Sequence, residues 1–273
     1  PDAKLQVLLY GTYAGFQESV NGTASAGDDE ILGYYDPVGG RGHFFDLNTY
    51  PPIARLRAEL MIGSMDSLAE RRQREQQLTE SLESLQRRVV QHEAAHQVHD
   101  QVGLLPAYAT APPWLREGLA QMFELPLAQG ATPELWTNRY RLREYTTLYP
   151  NDAEVRTELE RLMRGDEMHA GRDYALSWAI VNYLYKRERL AFGAYLRKLA
   201  RRTPAEVVSG DAALGEFETA FGSLDRGFGP DFMRHMRRLK ERHELGDSED
   251  GATRETPATG LCRRWDSRPI MPE

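Results

Sequence analysis

Val90-Gln91-His92-Glu93-Ala94-Ala95-His96 decides how this chain is read. It lies inside a stretch from Ser67 to about Val102 that holds neither proline nor glycine, so the segment reads as helix. Two histidines four residues apart project from the same helical face, about one turn from each other. That spacing lets both imidazoles reach one metal ion, and zinc is the usual choice for a tetrahedral site of nitrogen and oxygen ligands. Glu93 follows the first histidine and points to one side, where it can hold and deprotonate a metal-bound water without being a ligand. Upstream, Leu78, Leu82, Leu85 and Val89 are spaced 4-3-4, and the same seam continues through His92, His96 and His99. Apolar face and ligand face are therefore one stripe. His99 lies about 10 Å along the axis from His92 and reads as a packing residue, not a third ligand.

Two histidines leave a tetrahedral site short of a ligand, and the third must come from another element. Pro112-Pro113-Trp114-Leu115-Arg116-Glu117-Gly118-Leu119-Ala120-Gln121-Met122-Phe123-Glu124 is the source. Proline suits a first helical turn, so a helix is expected from Pro113. Glu117 falls on its opening turns, while Gly118 and Ala120 are small enough for another helix to approach. Glu124, seven residues on, returns to the same face, where a carboxylate can accept the free N–H of a ligand histidine.

His92-Glu93-x-x-His96-Gln97 followed by Trp114-Leu115-x-Glu117-Gly118-x-Ala120 resembles the gluzincin metallopeptidases, above all the zinc aminopeptidase branch and its peptidase-like relatives. The resemblance implies that His92, His96 and Glu117 bind zinc, that Glu93 is the general base, and that Glu124 supports a ligand histidine. A weaker echo runs from Tyr174 to Leu184. It is similar to the family segment whose leading tyrosine stabilises the tetrahedral intermediate, which would be Tyr174 here. One departure matters: the glycine-rich strand ending in Met-Glu-Asn, with which the aminopeptidases read a free amine, is absent. Aminopeptidase specificity is therefore not implied.

The rest of the chain bounds this reading. Its 273 residues and 31.1 kDa suffice for one sizeable domain with a two-lobed core. The formal net charge is −7 and arginines are mixed with acids, so no nucleic-acid footprint is expected. Cys262 stands alone, which rules out an intrachain disulfide and leaves the compartment open. No run is apolar enough for a transmembrane helix. The chain opens on Pro1 with no signal-like segment, as expected of a processed form or a piece of a longer protein.

The expected fold is α+β and zincin-like. A small N-terminal β-rich lobe (1–50) holds a first strand near 4–10 and a hairpin around Pro37 to Gly42. A helical part (51–102) carries the metal-binding helix, and a helical lobe (103–245) precedes a poorly ordered tail (246–273). His43 reads as a strand-end histidine. An edge strand before the motif helix is where such enzymes align an extended substrate. Helices are expected over 133–145, 153–163, 173–187, 191–202, 212–221 and 230–244. Two functions fit: a zinc hydrolase acting on a peptide or protein, or a non-catalytic interaction module, a zinc-stabilised or metal-free scaffold whose long charged helix 67–102 docks a partner. A coiled-coil partner is one candidate for that helix.

Overall fold

The computed structural model describes residues 4–20, 31–62, 67–106, 111–124, 137–165, 168–169, 171–203, 206 and 208–249. The chain is divided into two compact units, the first reaching to Val98 and the second beginning at His99.

The first unit is built on a three-stranded sheet in the order β1-β3-β2. β1 (Gln6–Tyr10) runs parallel to β3 (Arg41–Phe45), with Leu8 opposite His43. The connection between them carries α1 (Tyr13–Val20). β2 (Gly33–Asp36) pairs antiparallel to β3, with Gly33 opposite Phe44, which is the expected hairpin. Its turn is closed by the Val38 amide donating to Asp36 Oδ1 at 2.9 Å and by Gly40, whose φ of 64° suits glycine. Tyr13, Phe16 and Val20 of α1 meet Phe45 in the core of this unit.

After a 3₁₀ turn at Leu47–Thr49 come α2 (Pro51–Ile62) and α3 (Leu68–Gln101). Two prolines open α2, where a helix has amides to spare. α3 starts on a reciprocal cap: Ser67 Oγ accepts the Glu70 amide, and Glu70 accepts the Ser67 amide at 2.8 Å. Its apolar stripe behaves as the spacing predicts, for Leu78, Leu82, Leu85 and Val89 are buried with Ile53 and Tyr50. α2 thus helps to cover α3 from within the chain. Gly103, at φ 71°, ends the helix, and the Leu104 and Leu105 amides return to the His99 carbonyl. The break expected at Gly63-Ser64 lies outside the described residues.

The second unit is helical throughout its described part. It comprises α4 (Pro113–Gln121), α5 (Arg139–Leu148), α6 (Asp152–Met163), α7 (Arg172–Arg187), α8 (Arg189–Leu199), α9 (Gly210–Phe221) and α10 (Phe228–Glu249). Asn138, Asn151 and Ser209 cap α5, α6 and α9 through their side chains. α7 is buried from Asp173 to Leu184 without a break, and the one charge in that stretch, Asp173, is paired with Arg161 at 2.5 Å. It is the axis of the unit. Against it, α4 packs at Gly118, where an added Cβ would stand 2.5 Å from the Ser177 carbonyl oxygen. The expected helix at 133–145 begins only at Arg139; residues 125–136 lie outside the described set, as does the tail from residue 250.

Among the described residues the architecture is α+β, mainly helical with one small sheet. None of the described helices is long and apolar enough to cross a membrane.

Candidate metal centre

α3 positions the first two ligands. His92 is fully buried, and its Nε2 lies 3.1 Å from Nε2 of His96, with the two rings at 79°. A tetrahedral ion bound at ~2.0–2.1 Å would hold two such nitrogens about 3.3 Å apart. The pair is therefore set almost at ligand spacing by helical geometry alone.

Glu117 lies on the second turn of α4. One ligand atom from each of His92, His96 and Glu117 falls within 4.8 Å of the others. Two imidazoles and one carboxylate converging in this way can hold a metal ion, and that donor set suits a borderline cation with an open coordination position. Burial strengthens the inference, since Glu117 is only 5 % exposed and a buried carboxylate requires partners. α4 is itself tied down from its solvent side: Arg116 donates to the Pro106 carbonyl at 2.8 Å and Trp114 is buried in the core.

Glu93 is buried and stands outside the three-ligand group. Its chain lies along β2: a Cβ on Gly33 would meet Val89 Cγ1 at 2.5 Å and Glu93 Cγ at 3.2 Å. Only glycine lets the strand lie this close to the helix. Gln97, one residue past the motif, was given no role by the sequence. It is buried, and its Nε2 donates to the Gln6 carbonyl at 3.1 Å and the Gly40 carbonyl at 2.8 Å. One side chain thereby pins α3 to both β1 and the hairpin turn.

Glu124 is buried, but the helical argument for it does not hold, because α4 ends at Gln121 and a turn carries the chain onward. Its two oxygens accept Arg141 Nη2 at 2.8 Å and Arg141 Nε at 2.9 Å, and Asn138 Nδ2 approaches at 3.4 Å. Burial opposes the charge on Arg141, yet Glu124 and Glu144 overcome it and hold the guanidinium well above its ordinary range. Neither Arg141 nor Asn138 was legible as a partner, because one lies on α5 and the other caps it, far along the chain.

Tyr174 lies in the first turn of α7 and is buried in the second unit's core. Tyr183 packs edge-on against Phe228, Phe232 and His235, a core role. His99 packs edge-on against Phe123 and lies outside the ligand group. His43 sits at the centre of β3 rather than at its end, with Nδ1 3.0 Å from the Tyr10 hydroxyl. Burial lowers its pKa, against the pull of Asp36 and with help from Arg41.

Fold and site together describe an α+β protein with a His-His-Glu group able to bind metal. Residues 87–206 match a family described as a protein of unknown function (DUF1570), a stretch that contains the motif, Glu117, Glu124 and Tyr174. No curated protein and no solved structure matches the chain.

Proposed function

We propose that the protein is a zinc-dependent hydrolase of the gluzincin type that cleaves peptide bonds. One observation carries the reading: three ligand atoms lie within 4.8 Å while the adjacent Glu93, also buried, is kept out of the ligand set. A purely structural site has no need of such a carboxylate. Zinc held by His92, His96 and Glu117 would supply Lewis acidity, polarising a scissile carbonyl and easing deprotonation of water. Glu93 takes the proton from the attacking water and returns it to the leaving amine. Tyr174 donates a hydrogen bond to the carbonyl oxygen as charge develops there. Glu124 accepts the outer N–H of a ligand histidine while Arg141 holds it in place. β2, an edge among the described strands with Gly33 beside Glu93, is the strand against which an extended peptide pairs.

The test is metal analysis combined with hydrolysis of an unbiased peptide library. The wild-type chain should contain one zinc and cleave. Glu93→Gln should keep the zinc and lose ~10²–10⁴-fold in turnover, whereas His92→Ala should lose the metal. Undiminished turnover by Glu93→Gln rules the mechanism out, and zinc without any turnover in the wild type would favour the scaffold.

A further inference from the structure

In the second unit, remote in sequence from the metal ligands, α8, the following residues Arg201, Arg202, Glu206 and Val208, and Glu216 in the middle of α9 border an open pocket of about 430 Å³. Small-molecule sites have volumes of roughly 300–1,000 Å³. Its charged lining is Arg197, Lys198, Arg201, Arg202, Glu206 and Glu216, four cations against two carboxylates. The two carboxylates are unevenly engaged. Glu216 is shared, pairing with Arg202 and, at 3.3 Å, with Lys198. Glu206 accepts instead from the Thr203 hydroxyl at 3.3 Å. Arg197 and Arg201 have no carboxylate partner among the described residues. Arg197 stands in the last turn of α8 and Arg201 in the turn that follows the helix, and both line the same pocket.

The plain reading is that cations gather at the end of α8 because its dipole favours them there. That accounts for the placement of Arg197 and Lys198 in the last turn. It does not account for a concave wall of four cations. Nor does the helix end repel an anion strongly, because its last carbonyls are already bonded: Leu196, Lys198 and Leu199 accept the amides of Ala200, Arg201 and Arg202. Arg202 is held rigid by Glu216, with 7 % of its side chain exposed. Arg197 folds back over Gly193, its Nη1 3.4 Å from where a Cβ would stand. Two charges are left over, on guanidinium forks that match the oxygens of a phosphoryl group.

We propose that this cavity binds the phosphate group of a small phosphorylated molecule, with Arg197 and Arg201 gripping the oxygens and Arg202 forming the wall. The test is calorimetric titration of the full chain with inorganic phosphate and with glycerol 3-phosphate, against sodium chloride at matched ionic strength. Both probes should bind saturably at one site. Arg197→Gln combined with Arg201→Gln should weaken them at least about tenfold. Should that double variant fail to fold, Arg201→Gln alone, at an exposed side chain, should still weaken them severalfold. His92→Ala should bind phosphate as the wild type does. Absence of saturable binding overturns the proposal, as does unchanged binding by the arginine variants. Loss of binding in His92→Ala, or binding only to phosphatidic acid vesicles, overturns it equally.

Discussion

Glu124 and Arg141 form a two-pronged ion pair from which water is almost excluded, with side-chain exposures of 0 % and 4 %. Such a pair is expensive to assemble and more expensive to break, because the surviving charge has no solvent to turn to. Arg141→Met should therefore destabilise the protein by about 3–5 kcal/mol in urea unfolding, and adding Glu124→Gln should recover part of that loss. Equal stability of the single and double variants would show that the pair is not coupled. Glu124 itself was visible in the sequence as the residue seven beyond Glu117. Its strongest partner was not, since no local rule connects position 124 to 141. The same holds for Gln97, which reads as one more polar residue on a polar helix until the carbonyls of Gln6 and Gly40 are placed beside it.

Between elements, approach distance governs. α4 can carry Glu117 only if it lies tightly along α7, and Gly118 is the point of contact. A Cβ there would meet Ser177 O at 2.5 Å and Val181 Cγ2 at 2.6 Å, one a backbone atom that cannot swing away. Gly118→Ala should cost about 1–3 kcal/mol of stability and weaken metal binding through its neighbour Glu117. Gly215, inside α9, has nothing within 4 Å of its would-be Cβ. Gly215→Ala should raise stability by roughly 0.5–1 kcal/mol, since alanine is the better helix former. Thermal unfolding of the two variants checks both signs, and a harmless Gly118→Ala would mean the seam has slack. That α4 needed small residues was legible; which helix pressed against them was not.

At the scale of the whole molecule, stability should depend on acid in a way that can be traced to His235. Burial first, then Arg187, Lys186, Arg242 and Arg238, depress its pKa from 6.5 to about 4. Arg187 Nε donates to its Nδ1 at 3.3 Å, which also favours the neutral ring. The unfolded chain thus binds a proton that the folded chain refuses. The contribution is fully present above pH 6.5 and is lost as pH falls from there through about 4. His235→Gln keeps an acceptor for Arg187 and removes the titration, so its stability should fall less steeply across that window. Identical slopes for variant and wild type would refute the assignment.

By itself the sequence determined what a helix repeats. The 4-3-4 stripe of α3, the shared face of His92 and His96, the start of α4 at Pro113 and the stop at Gly103 all follow from helical period and local backbone preference. Those rules act within one or two turns and need no partner. Only the tertiary structure decided the parallel pairing of β1 with β3, the seating of Gly33 against Val89 and Glu93, the bond of Glu124 to Arg141, and the arrival of Glu117 beside the two histidines. Each joins residues far apart in the chain. Their free energy comes from burial and close approach, which no local pattern encodes.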